Sequence, residues 1–279
     1  MPYAAEISRT NPACFILLID QSGSMDDPFA GEPDTKKSVV VADGVNKMLQ
    51  NLVLRSAKAD GVRDYFHVAV IGYGKMTHAG LGGRLPTDAL VPISRLADSP
   101  LRIETRTKTV SDGAGGLLEK SVKVPVWFDP VANGRTPMCE ALSAAWLTAR
   151  EFIERYPTAY PPIVLNLTDG RPSDGNPQDT AKNLRRLATA DGNVLLFNLL
   201  LSTEPKPPMY FISDGSLLVD LYSKLLFVMS SQLPPRMLQG ARAEGFDVEE
   251  GARGVVFNAD PAAVVRFLDI GTRVASVYK

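Results

Sequence analysis

Asp20, Ser22 and Ser24 stand at two-residue spacing directly after Cys14 to Ile19, an apolar run that contains no glycine or proline. Such a run is too short to span a membrane and reads as a strand buried on both faces. Alternate residues of an extended segment project to the same side. One carboxylate and two hydroxyls therefore converge beyond the carboxyl end of a buried strand. All three are hard oxygen donors, which suits a cation such as Mg²⁺. Asp, Ser and Gly are also ordinary turn formers, so the motif alone reads equally as a strand-ending turn. A second apolar run, residues 163 to 168, ends in Asp169 followed by Gly170. Between the two lies Asn133-Gly134-Arg135-Thr136-Pro137, a tight loop with a threonine just before a proline able to open a helix.

The elements that position these residues alternate in type. Spacings of three and four among Val40, Val41, Val45, Met48, Leu49, Leu52 and Val53 predict a helix over 36 to 56, with Asp34 or Thr35 as its cap. Strands follow at Phe66 to Tyr73 and, more weakly, at Leu90 to Leu96, where Pro92 suggests an edge. Residues 101 to 110 and 117 to 128, joined by Ser111-Asp112-Gly113-Ala114-Gly115-Gly116, carry a β-hairpin signal that interrupts the alternation. A helix from Pro137 to Tyr156 has a buried stripe including Ala141, Leu142, Ala145 and Phe152. Then come the strand at 163 to 168, a helix at 178 to 190, a strand at 194 to 201 and a proline-rich loop from 203 to 216. Helices at 217 to 233 and 235 to 244 precede a short strand at 254 to 258. Asp260-Pro261 caps and opens a last helix to about Ser276. The expected class is α/β, with a mostly parallel sheet and ligands bound where strand order reverses.

With Asp20, Ser22, Ser24, Thr136 and Asp169 in this order, the chain resembles the von Willebrand factor A (VWA) family and its metal-ion-dependent adhesion site. The resemblance covers roughly residues 12 to 201 and 254 to 276. It implies a single doubly wound, Rossmann-like domain over 1–279, with a hairpin insertion at about 99–130 and an enlarged segment at about 203–245. It also implies that the same five residues hold Mg²⁺, or Mn²⁺ or Ca²⁺ in its place, with one position left for a ligand oxygen. The loop Thr168-Asp169-Gly170-Arg171-Pro172 is similar to that of stand-alone bacterial VWA proteins of the tellurite-resistance-associated, TerY-like type. Relatives of that kind work beside kinases, phosphatases or MoxR-type ATPases. The expected role is a scaffold that binds an Asp or Glu of a protein partner through the ion.

Other chemistry is thinly represented. The chain has 45% hydrophobic and 22% charged residues and a net charge of −1, an ordinary globular composition with no global case for nucleic acid or an anionic membrane. No apolar run is long enough for a bilayer span and the N-terminus does not read as a signal peptide. Cys14 and Cys139 are expected in the core as small hydrophobes, which favours a cytoplasmic location. Of the two histidines, His67 reads as a satisfied structural residue and His78 as solvated. No zinc spacing, nucleophile elbow or phosphate loop appears, so the chain is not expected to be an enzyme. A metal-dependent hydrolase of phosphates or esters, and a subunit whose metal is purely structural, are the alternatives. Asp26 and Asp27 read as a solvated acidic turn rather than a second cation site, and Asp174 as a turn former or outer-shell group. Arg102, Arg106 and Lys108 read as the polar face of the hairpin.

Overall fold

The computed structural model describes residues 2–29, 32–83, 85, 90–111, 117–201 and 206–273. The hairpin turn at 112–116, residues 203–205 of the proline-rich loop and the end of the last helix at 274–276 lie outside the described residues.

The central strand, β1 (Ala13–Asp20), is buried along its whole length. Its alternate residues feed two cores. Phe15, Leu17 and Ile19 face Val41, Val45, Leu49 and Leu52 of helix α1 (Lys37–Ser56). Ile16 and Leu18 face Ala141, Leu142, Ala145 and Phe152 of α3 (Met138–Arg155). Between these helices run β2 (Phe66–Tyr73), the short strands β3 (Thr77–Ala79) and β4 (Leu90–Pro92), helix α2 (Ile93–Ala97), and the hairpin of β5 (Arg102–Ser111) and β6 (Leu117–Val126). Then follow β7 (Ile163–Thr168), α4 (Gln178–Leu184), β8 (Leu195–Leu201), β9 (Met209–Tyr210), α5 (Leu221–Met229), α6 (Pro235–Ala243), β10 (Val255–Ala259) and α7 (Pro261–Arg273).

The eight-stranded sheet has the order β9-β10-β8-β7-β1-β2-β3, with β4 also on β2. The inner pairs β2–β1, β1–β7, β7–β8 and β8–β10 are parallel; β3, β4 and β9 run antiparallel. This is a doubly wound α/β sheet. From β1 the chain goes through α1 to β2 on one side and returns through α3 to β7 on the other. Strand order therefore reverses between β1 and β7, and Asp20 and Asp169 stand at the carboxyl ends of those two strands.

Several expected boundaries move. Lys36, not Asp34 or Thr35, precedes α1, because Glu32–Lys36 forms a short strand and no side chain caps the helix. Of the strand expected at 90 to 96 only β4 forms. Ile93 and Leu96 are buried on a helical turn, and Asp64 accepts from the Ser94 amide at 2.9 Å. The helix expected to reach 190 stops at Leu184, since Ala188–Thr189 turns back on Gly192–Asn193. The helix expected over 217 to 233 is confined to α5, because Asp220 accepts from the amides of Tyr222 and Ser223 and so sets its start. The cap at Asp260 forms as expected, accepting from Ala263 at 2.7 Å.

The hairpin itself forms, in register from Arg102↔Val126 to Ser111↔Leu117. Its base does not lie outside the core. Trp127 and Phe128 are buried, the Trp127 indole donates to the Leu96 carbonyl at 2.7 Å, and Asn46 of α1 accepts from both backbone amides. Cys14 is buried as expected, but Cys139 is only partly so. No helix among the described residues is long and apolar enough to cross a membrane.

Candidate functional site

The loop after β1 is bent into place by local bonds. Asp20 Oδ1 accepts from the Ser22 amide at 2.9 Å, and Gly23–Asp26 forms a 3-10 turn. The loop before α3 docks on it through Asn133 N to Gln21 O at 2.6 Å and Gly23 N to Gly134 O at 3.1 Å. That approach requires glycine at 134, where φ is +99° and a Cβ would run into the backbone of Gly74 and Lys75. Thr136 is buried beside Gly170, and its amide and carbonyl are held by Ser173.

These loops bring the expected residues together. The Ser22 and Ser24 hydroxyls are 3.1 Å apart, and Ser24 Oγ donates to Asp169 Oδ1 at 2.8 Å across 145 residues of sequence. Asp20 Oδ2 accepts from Thr168 Oγ1 at 2.7 Å. Asp20, Ser22, Thr136 and Asp169 are buried, while Ser24 is exposed and marks the open side. Burial pushes the Asp20 carboxyl up to about 6, against the hydrogen bonds from Ser22 and Thr168, and the charge of Asp169 adds to the rise.

Two groups enter the site that sequence reasoning missed. Lys37, the first residue of α1, is 2% exposed, and its ammonium donates to Asp169 Oδ2 at 2.9 Å. Lys37 stands four residues before Val41, in phase with the buried stripe 41, 45, 49 and 52, which is the signal that could have found it. The second is Tyr222 of α5. Its hydroxyl is buried beside Thr168 and near Asp20 and Asp169, but Thr168 Oγ1 already donates to Asp20, and Tyr222 makes no well-formed hydrogen bond among the described residues. Nothing local in the sequence ties Tyr222 to β1.

The donor set fits a hard divalent ion. Every group is an oxygen, and the orphaned Tyr222 hydroxyl offers a buried polar partner for an ion-bound water. Among the described residues no cluster of three or more His, Cys, Asp or Glu side chains could hold a metal, so an ion here would rely on hydroxyls. Lys37 changes the electrostatics expected from sequence. Two carboxylates and one ammonium sum to a single negative charge, and a divalent ion would turn this to a single positive one instead of the near-zero sum of a site without the lysine.

The other candidates resolve into supports. Asp26 pairs with Lys36 at 2.8 Å on the surface. Asp174 accepts from the Cys139 and Glu140 amides at 3.1 and 2.9 Å, capping α3. Arg102 and Arg106 both pair with Glu104, so they form the charged face of the hairpin. His67 is in the core against Phe152 and Tyr156, but its Nδ1 has no hydrogen-bond partner among the described residues, contrary to the expectation. Burial lowers its pKa to about 4.

No family model and no curated protein matches the chain. Among solved structures, proximal thread matrix protein 1 from the mussel byssus is 14% identical over 97% of this chain and 49% of that one, with a TM-score of 0.48. The ArnB paralog VWA2 from Sulfolobus acidocaldarius is 11% identical over 70% of this chain and 36% of that one, with a TM-score of 0.35. The PilB minor pilin from Streptococcus sanguinis is 9% identical over 95% of this chain and 61% of that one, at 0.46. The chain thus spans about half the length of the first of these and under two thirds of each.

Proposed function

We propose that this is a VWA-type, metal-dependent protein-interaction module, in which Asp20, Ser22, Ser24, Thr136 and Asp169 hold Mg²⁺ and a partner carboxylate completes the coordination. The observation that carries it is the bond from Ser24 to Asp169, which joins the two loops at the reversal of strand order. Neutral hydroxyl ligands leave the cation under-neutralised, and Lys37 removes half of the compensating carboxylate charge. A loaded site of this kind attracts an acidic side chain strongly. Beside it, Arg171 and Pro172 share a cavity of about 370 Å³ with Leu221 and Leu225, and Leu217, Val219 and Leu221 are exposed. That surface suits an acidic residue flanked by apolar ones. A kinase, phosphatase or MoxR-type ATPase system in a bacterial, TerY-like setting and a cytoplasmic location remain part of this proposal.

A second reading is favoured by Lys37 itself. Its ammonium already answers Asp169, so the cluster can act as a polar staple between α1 and the β7 loop, with any ion in a structural role. One experiment separates the two: calorimetric titration of Mg²⁺ into wild type, Asp20→Ala and Thr136→Ala, followed by capture of partners with Mg²⁺ or chelator. The module reading expects binding lost in Asp20→Ala, weakened in Thr136→Ala, and capture that depends on Mg²⁺. Capture unchanged by chelator and by both substitutions favours the staple.

A further inference from the structure

A second charged cavity lies at the opposite pole of the sheet. Strand β8 runs parallel to β7, so Asn193 and Val194, just before its start, are at the end remote from Asp20 and Asp169. There a cavity of about 550 Å³ is walled by Arg185 and Arg253, with Tyr3, Asn193, Ser231 and Gln232 as neutral polar neighbours. No Asp or Glu is among its described lining residues.

The two arginines are an unusual pair to leave together. Arg185 Nε is buried and without a hydrogen-bond partner, and no carboxylate pairs with this guanidinium among the described residues. Arg253 donates from Nη1 to the Ser230 carbonyl at 2.6 Å and lies over the Phe227 ring at 4.9 Å, which fixes its plane and leaves donors over. Burial lowers the pKa of both, and the charge of Arg253 lowers that of Arg185 further. Like charges in one partly buried cavity oppose folding, and an anion placed between them would remove the penalty. Planar guanidinium forks match the paired oxygens of phosphate and carboxylate groups. The start of α6 also closes the cavity through Pro234 and Pro235, with no side chain capping that helix. Its positive end adds to the same field.

We propose that this cavity is an oxyanion-binding site that takes the phosphate or carboxylate group of a small ligand, with Arg185 and Arg253 as its two arms. It uses none of the residues of the divalent-ion site and stands or falls separately from it.

The test uses the full chain stripped of divalent ions on a chelating resin and kept in metal-free buffer, so that the other site is silent, with sodium pyrophosphate and sodium malonate as probes at constant ionic strength. Binding is read by calorimetry and by melting temperature. A response to pyrophosphate alone assigns a phosphate site, and a response to malonate alone or to both assigns a carboxylate or a general oxyanion site. Affinity should fall at least tenfold in Arg185→Gln and in Arg253→Gln, and less in Arg185→Lys, which keeps the charge but loses the fork. Without ligand, Arg185→Gln should melt at or above the wild-type temperature, because a like-charge pair has been relieved. Wild type that binds neither probe would overturn the proposal, as would equal binding by Arg185→Gln. A clear loss of melting temperature in ligand-free Arg185→Gln would do so too, since it would make the arginine a structural brace.

Discussion

Lys37 gives the candidate metal site a cation of its own, and this can be measured. Replacing Lys37 by Met leaves Asp169 buried without its partner, and breaking a buried pair in this way costs about 3–5 kcal/mol. In urea melts the loss should appear in full in chelator and shrink in saturating Mg²⁺, because the ion takes over the charge of Asp169. An equal loss in both conditions would mean that no ion reaches that carboxylate. A second residue-scale expectation concerns His67. Its folded pKa of about 4 lies below the unfolded value of roughly 6.5, so its stabilising contribution is complete above pH 6.5 and disappears as the pH falls toward 4. Asp64 acts to raise that pKa and Arg155 to lower it. Comparison of wild type with His67→Leu should show wild type losing about 2 kcal/mol more between pH 7.5 and pH 5. At this scale the Asp20, Ser22 and Ser24 group was legible because it is contiguous. Lys37 was hidden because a lysine at a helix start is usually solvated, and Tyr222 because only tertiary packing brings it near β1.

At the scale of elements, the hairpin divides into a dispensable ribbon and a necessary base. Its ion pairs to the body, Arg106 to Asp43 and Arg102 to Asp129, are largely solvent-exposed and worth little. Trp127 and Phe128, by contrast, fill the core beside α1 and α2. Replacing residues 103–125 by a short Gly/Ser linker should leave a folded protein by circular dichroism. Extending the excision to 101–128 should unfold or severely destabilise it, since losing one buried Trp costs about 3–5 kcal/mol. The sequence pattern marked the ribbon well and its base poorly. Alternation continues through residue 128, while the bonds that tie Trp127 to Leu96 and Asn46 span 31 and 81 residues. The short helix α2 was missed for a similar reason, because its start is secured by Asp64 thirty residues away.

For the molecule as a whole, the alternation of long apolar runs with amphipathic helices was enough to infer a doubly wound sheet, because each inner strand is buried on both faces. The short edge strands β3, β4 and β9 carry too few residues to show a period. If the cluster at the reversal point binds Mg²⁺, the ion is a ligand of the folded state alone. At a hundredfold its dissociation constant it should add about 2.7 kcal/mol. For a chain of this size that is a rise of roughly 5 °C in melting temperature. Asp20→Ala should show no rise, and a wild-type curve identical in Mg²⁺ and chelator would count against the ion.

The position of β1 also sets a schedule for synthesis. One of its edges is closed by β2, which lies close behind it in the chain, with Phe15 beside Val68. The other edge waits for β7, where Phe15 meets Ile163. At about 5–20 residues per second on the ribosome, this fully buried strand stands with an open hydrogen-bonding edge for roughly 5–20 s while the intervening chain is made. During that interval the nascent chain is a template for strand addition by other chains. Aggregation during expression should therefore depend on how fast residues 68 to 163 are translated, even when the finished fold is stable.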